Sequence, residues 1–474
     1  MKFRCGVVFM MEPRAPQVPK EGRMARLDSP SIGATQPADP AAQQTIRRVT
    51  MRIIPFLLVC YFISFLDRVN VSFAGLEMNR DLGFTQAVYG LGAGLFFLTY
   101  CVFEIPSNLM LYKFGATRWI ARVLLTWGIC AAGMAFVVGE HSFYVMRLLL
   151  GAAEAGFFPG VLFFLTLWFP AAYRGRIVGL FMAGVAISGL IGSPLSGALL
   201  SLDGFAGLKG WQWLFLLEGA PAILLAPLCL VFLQDGPAKA KWLPAGERDW
   251  LAGALDSEKH GAGPKKAHSP WSALINGRVW FLAGTYFTNV CLLNGILFFL
   301  PQILKSFGMT NLQAGFVAAL PSAFALVAVI WWGRRSDARR ERHGHAAFAL
   351  FLGGAALLAS VLITDPTARI AAIIIAFSAT LAFTAPFWTI PPTFLTGAAT
   401  AGGYATISSI GVLGGFVAPS IIGKLADITG DSRVGLGAFA LLAMAAALAF
   451  YLIARNEQAS SATVPDGTSP ALLD

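Results

Sequence analysis

From residue 53 onward the chain alternates between apolar runs of about twenty residues and short polar breaks, a length that crosses ~30 Å of hydrocarbon. The runs fall at 53–76, 86–108, 119–138, 142–169, 177–200 and 212–233. A polar stretch, 234–276, separates them from six more at 279–300, 314–332, 346–363, 368–394, 401–423 and 434–454. The pattern predicts an all-α membrane protein of twelve transmembrane helices in two six-helix halves, 49–233 and 277–455, with 234–276 as a central cytoplasmic loop. Two packed halves with a binding site between them form a recognised transporter architecture.

The flanking segments, 1–48 and 456–474, are expected to be disordered cytoplasmic tails. The first is rich in Pro, Ala and Arg and shows no helical period. Its one apolar run, 5–11, is too short to span, and no A-x-A-like cleavage site follows it closely. Met11 and Met24 stand as alternative starts.

Composition agrees with the pattern. Hydrophobic residues make up 56% of the chain and charged residues 13%, against roughly 45–50% and about 25% in soluble domains. The formal net charge of +10 would suggest an acidic partner in a soluble protein, but here Lys and Arg cluster between the apolar runs. With both termini inside, the inner segments hold Arg47, Arg48, Arg52, Lys113, Arg118, Arg174 and Arg176. The central loop adds Lys239, Lys241, Arg248, Lys259, Lys265, Lys266 and Arg278, and the later segments Arg334, Arg335, Arg339, Arg340, Arg342 and Arg455. The outer loops carry only Arg80, Lys209, Lys305, Arg369, Lys424 and Arg433. That bias sets the expected orientation and argues against nucleic-acid binding. The expected location is the inner (plasma) membrane, with the bilayer as a partner and the monomer as the working unit.

Charge inside an apolar span costs roughly 2.5–3.5 kcal/mol per residue on insertion scales, so each such residue calls for a role. Asp67 and Arg68 lie in the first span, Arg147 and Glu154 in the fourth. Arg147 and Glu154 share a helix face two turns apart, too far for a direct pair, so each is expected to face another helix. Tyr61 and Arg68 share a face with Ser64, and Asp67 and Asn70 a neighbouring one. A guanidinium fork holds a carboxylate bidentately and stays charged. A buried carboxylate can exchange a proton. A site with both can trade a proton against an anion. The same four charges could instead form ion pairs that only fix packing.

Glu104 and Glu218, near the expected membrane boundaries, and Asp337, in the basic stretch 333–342, are candidates for gating or structural roles. The second half shows no charge in its spans. Its polar candidates for substrate contact are Tyr286, Asn289 and Asn294. Thr380, Thr384, Trp388, Tyr404, Ser408 and Ser409 are weaker, because Ser and Thr in membrane helices mostly bond back to their own helix. No G-x-S-x-G elbow, H-E-x-x-H or phosphate-binding loop is present. The six cysteines show no metal-ligand spacing. The expectation is therefore no enzyme activity, no cofactor and no metal, with the work driven by an ion or substrate gradient.

These residues also carry a resemblance. Ser64-Phe65-Leu66-Asp67-Arg68-Val69-Asn70, Phe103-Glu104-Ile105-Pro106-Ser107-Asn108 and the run from Arg147 through Gly151, Glu154, Gly156 and Pro159 to Gly160 resemble the anion:cation symporter branch of the major facilitator superfamily. Trp211-Gln212-Trp213 with Glu218-Gly219, Leu300-Pro301-Gln302-Ile303 and Ser336-Asp337 extend the similarity across roughly 50–455. The resemblance implies alternating access and inward co-transport of a small organic anion with protons. The anion would be a sugar acid, a tartrate-like dicarboxylate or an aromatic carboxylate. Arg68 and Arg147 would engage the anion, and Asp67 and Glu154 would carry proton coupling. Ser408 and Val412 stand where many relatives have Asn, and the loop from Leu111 to Ala116 lacks the acidic residue common in the superfamily. An exporter or exchanger of the same fold is the alternative reading, and a non-transporting membrane sensor is a more distant one.

Overall fold

The computed structural model describes residues 40–261, 275–395 and 398–462. The segments 1–39, 262–274 (with Lys265, Lys266 and His268) and 463–474 lie outside the described residues. The first half comprises α1 (Pro40–Leu82), α2 (Gln86–Phe114), α3 (Ala116–Gly133), α4 (Glu140–Glu154), α5 (Phe157–Thr166), α6 (Ala171–Leu199) and α7 (Gly210–Phe232). A short helix, α8 (Ala245–Gly261), follows. The second half comprises α9 (Gly277–Ser306), α10 (Asn311–Arg339), α11 (His343–Leu362), α12 (Pro366–Phe387), α13 (Ala398–Thr429) and α14 (Arg433–Ala462). Among the described residues twelve spans are long and apolar enough to cross a membrane, with α4 and α5 forming one of them.

Helix starts follow capping chemistry. Thr85 accepts from Val88 N, Asn276 from Arg278 N, and Thr310 forms a reciprocal box with Gln313. Asp365 caps α12 just before Pro366, a residue suited to a first helical position. The helices outrun the apolar stretches. Residues 40–48, expected as disordered tail, are helical and bury Ala42, Thr45 and Ile46 along one face. The central loop contains α8, which is tied down by Glu247 to Arg48 at 2.6 Å and by Glu258 to Arg174 at 3.1 Å. Residues 456–462 continue α14. A search for long apolar runs misses such helix because its polar face points to water and headgroups.

Asp235, just after α7, supplies a carboxylate to the loop that lacks one of its own. It accepts from Thr117 N at 2.8 Å, at the start of α3, a favourable place for negative charge. On the same face Asp337 pairs with Arg342, the residue before α11. Neighbouring Glu341 accepts from the backbone of Gly344 and His345 and from His345 Nδ1. Burial opposes its ionisation, but those hydrogen bonds win and hold it below its ordinary range.

The halves meet along two seams, α2 against α13 and α6 against α10. On the face away from the termini the seams are closed by backbone-close contact. A Cβ on Gly90 would lie 2.1 Å from Pro419 O, and one on Gly423 2.1 Å from Gln86 O. Asp427 of α13 accepts from Gln86 N at 2.8 Å and Ala87 N at 2.9 Å, at the start of α2. Asn311 of α10 donates to Glu77 of α1 at 2.6 Å, and Lys305 donates to Asn311 at 2.7 Å. Tyr89 hydroxyl donates to Phe298 O at 2.8 Å. Gly423→Leu is therefore expected to pry this seam apart. Overpacking of this kind costs about 1–3 kcal/mol, read as a lower melting temperature of the purified protein. An unchanged melting temperature would show that the seam is loose.

Candidate functional site

The fourth span is broken where its chemistry lies. α4 ends at Glu154, Ala155 turns extended (φ −54°, ψ 130°), and Gly156 adopts the left-handed region at φ +86° before α5 begins. A side chain at 156 would be strained by that φ and would also strike Ser107 Oγ, 2.3 Å from the Cβ position. Pro159 then falls in the first turn of α5, where a missing N–H is tolerated. Broken membrane helices expose helix ends at depth, and such ends attract charge. Here the negative end of α4 and the Glu154 carboxylate share one place.

Arg68 of α1 occupies that place. Its Nε donates to Glu154 Oε1 at 2.7 Å, and Ser64 Oγ donates to the same oxygen at 2.8 Å. Glu154 is fully buried, whereas the Arg68 side chain is 23% exposed. Arg68 Nη2 has no protein partner. Tyr100 and Phe96 lie beneath the guanidinium, 4.8 Å and 5.7 Å from it. The site thus offers a cation that is only partly committed.

Asp67, one residue away, faces elsewhere. It accepts from Trp127 Nε1 of α3 at 2.6 Å and from Asn70 Nδ2 at 3.2 Å. Glu218 of α7 accepts from Ser196 Oγ at 2.7 Å, and its second oxygen has no partner. It is 1% exposed and so does not lie at a wetted boundary as its sequence position suggested. α7 begins at Gly210, which puts Glu218 two turns deep. Neither Asp67 nor Glu218 forms an ion pair among the described residues. A small cavity where α1 and α6 meet α9, α10 and α12 is lined by Ser72, Ser188, Ser193, Ser196 and Ser322 among apolar residues such as Phe73 and Phe377.

Arg147 is 0% exposed. It donates to Gly92 O at 3.0 Å and Ala93 O at 2.9 Å of α2, beside Phe96, and so clamps α4 to α2. Gly151, one turn on, brings α4 onto the Phe96 carbonyl. As the spacing indicated, Arg147 and Glu154 do not pair directly. Glu104 is part-exposed on α2, where Asn108 donates to its backbone carbonyl at 2.9 Å.

The other half contributes aromatic surface. Tyr286 stacks on Phe387 at 5.5 Å and meets Trp388 edge-on at 4.9 Å. Tyr404 stacks on Trp388 at 5.4 Å and donates to its carbonyl. In the first half, Tyr61 stacks on Phe181 at 4.4 Å and on Phe158 at 5.8 Å. Asn294 bonds back to Val290 O at 3.0 Å, and Asn289 is buried with its Oδ1 unpartnered. The expectation of no charge in these spans needs one correction: Arg369, in the first turn of α12, is only 4% exposed and lies 5.4 Å over the Phe307 ring. Its position at a helix end made it look like a loop residue.

Comparisons with known proteins agree with this architecture. The family model described as Major Facilitator Superfamily matches residues 57–419. A protein of Agrobacterium vitis, provisionally named a tartrate transporter, is 46% identical over 87% of this chain and 92% of its own length. A protein of Acinetobacter baumannii named a quinolone resistance transporter is 41% identical over 89% of this chain and 98% of its own. Among solved structures, a D-xylose–proton symporter superposes with a TM-score of 0.68 at 14% identity, over 85% of this chain and 97% of that one. At that identity the likeness concerns the fold alone. The matched family model, the two close relatives and the twelve spans agree: the chain is a multi-pass membrane transporter and belongs to the major facilitator superfamily.

Proposed function

We propose that the chain is a proton-coupled symporter that takes up a small organic anion by alternating access. The substrate would be a sugar acid, a tartrate-like dicarboxylate or an aromatic carboxylate. The protein works as a monomer in the inner membrane with both termini in the cytoplasm. One observation carries this reading: Arg68 bonds Glu154 through Nε, while its buried Nη2 has no protein partner and its side chain, over Tyr100 and Phe96, is 23% exposed. A substrate carboxylate can take the open side of the fork. Its negative charge then competes with Glu154 for the same cation. A proton on Glu154 ends that competition, so protonation and anion binding favour one another.

Asp67 and Glu218 extend the proton-handling set, because buried carboxyls without cation partners are cheaper to hold neutral. Asn70 bridges toward them. Tyr61 and Tyr286 form facing walls for the substrate body, with Asn289 and Asn294 behind Tyr286 on α9. Arg147 braces α4 against α2 and so holds Glu154 in place without touching the anion itself. Glu104 and Asp337 serve gating. The relative named for quinolone resistance favours a second reading, in which the same fold exports its substrate or exchanges it. The direction of net flux in vesicles of known orientation separates the two.

Three outcomes test the proposal. A cysteine at position 257 (Ser257→Cys on α8) is expected to be shielded from an impermeant maleimide in intact cells and labelled in inverted vesicles. The opposite pattern would invert the topology. For coupling, Glu154→Gln should still bind and exchange the anion but lose pH-gradient-driven accumulation, while Arg68→Ala should lose binding itself. Wild-type accumulation in Glu154→Gln would place the proton route elsewhere. Finally, Lys lacks the planar fork, so the two arginines should separate. Arg147→Lys is expected to lower the melting temperature, having lost a clamp on two carbonyls, at about 1–3 kcal/mol. Arg68→Lys should fold normally and bind the anion weakly. Equal folding and equally weakened binding in both would put Arg147 on the substrate.

A further inference from the structure

Outside the central site, the membrane boundary on the face bearing the termini holds a groove of about 710 Å³ between the start of α1 and the end of α7. Arg48 and Arg52 line one end of it, and Pro55, Phe56, Val59 and Phe232 line the rest. Arg52, Pro55, Phe56 and Val59 follow at i, i+3, i+4 and i+7, so they form one stripe along α1. That stripe rises about 10 Å from charge into apolar depth. Val59 is 47% exposed and Phe232 40%, and Phe56 stacks flat on Phe232 at 5.4 Å.

The charged end is only partly satisfied. No carboxylate pairs with Arg52 among the described residues. Its guanidinium lies 4.9 Å from the Trp242 ring and 5.8 Å from Phe232, which fix its position without neutralising it. Arg48 shares Glu247 at 2.6 Å, yet its side chain remains 39% exposed. Two guanidiniums at a bilayer boundary, with aromatic and aliphatic surface running from them toward the hydrocarbon, match an amphiphile with a phosphate head. A soluble anion would use the arginines but leave the apolar stripe unoccupied.

We propose that this groove is a binding site for an acidic phospholipid. Its phosphodiester sits between Arg48 and Arg52, and an acyl chain lies along Pro55–Val59 and Phe232. Basic pockets beside membrane helices recognise lipid head groups in this way. The site touches α1 on the stretch leading to Arg68 and touches Trp242 on the segment leading to α8. It is separate from the anion site and holds whichever direction the protein transports.

The test uses the full chain, purified in neutral detergent with equal amounts of phosphatidylglycerol and phosphatidylcholine and read by native mass spectrometry. Wild type is expected to retain phosphatidylglycerol about thirtyfold over phosphatidylcholine, the scale two boundary arginines supply. Arg52→Gln and Arg48→Gln should each remove most of that preference. Arg118→Gln, which removes an exposed positive charge near the same face but outside the groove, should keep it. Arg52 makes no ion pair among the described residues, so Arg52→Gln is expected to fold, as checked by its elution profile, and that variant alone decides the matter if Arg48→Gln does not. Equal lipid preference in wild type and Arg52→Gln would overturn the proposal. So would full displacement of phosphatidylglycerol by inorganic phosphate, which would make this a soluble-anion site.

Discussion

A guanidinium and a carboxylate from helices far apart in sequence share a charge pair at the break of the fourth span, and much of the first half is arranged to hold it. Glu154 is fully buried and meets its cation, Arg68, at the point where α4 ends. The left-handed residue Gly156 ends α4 where Arg68 arrives. Ser64 fills a second hydrogen bond on the same oxygen. Arg147 fixes α4 against α2, so the carboxylate has little freedom to follow the cation if the cation moves. Breaking a buried pair by removing one partner is costly, about 3–5 kcal/mol. A ligand that offers its own carboxylate to Arg68 replaces the partner without leaving the charge unmet.

The division of labour between the halves follows from this. Apart from Arg369 in the first turn of α12, the second half's spans present hydroxyls, amides and rings to the core among the described residues. Its Tyr286, Phe387, Trp388 and Tyr404 interlock by stacking and edge contacts. Such contacts tie the wall into one packed cluster. The far-face seams, by contrast, rely on carbonyls packed against glycines and on Asp427 at the start of α2. Contacts of that kind have one geometry or none, which suits surfaces that part and rejoin as units.

The twelve spans were legible because lipid demands long apolar runs and nothing else in the chain mimics them. Arg68, Arg147, Asp67 and Glu154 stood out because charge within such runs is rare. Their partners did not stand out. Nothing in sequence spacing says that Arg68 meets Glu154 while its neighbour Asp67 turns to Trp127, since adjacent residues on a helix differ by about 100° in direction. Glu218 looked peripheral because helix ends cannot be fixed to better than a turn from hydropathy. Glu77 and Asn311 were passed over because their meaning lies in meeting each other across the halves. The helical starts at 40–48 and in α8 were hidden by their polar faces.

The order of these contacts along the chain bears on how the protein is made. A span carrying Arg147 and Glu154 is hazardous to release into lipid alone. Yet every group that receives those charges, Gly92, Ala93, Ser64 and Arg68, lies upstream and has been synthesised before the fourth span leaves the ribosome. The first span, which must wait longest, carries Asp67 and Arg68 side by side and enters with no net charge from the pair. Moving either half of the Arg68–Glu154 pair downstream, as in a circularly permuted chain, would preserve the final fold on paper while stranding a charge during insertion.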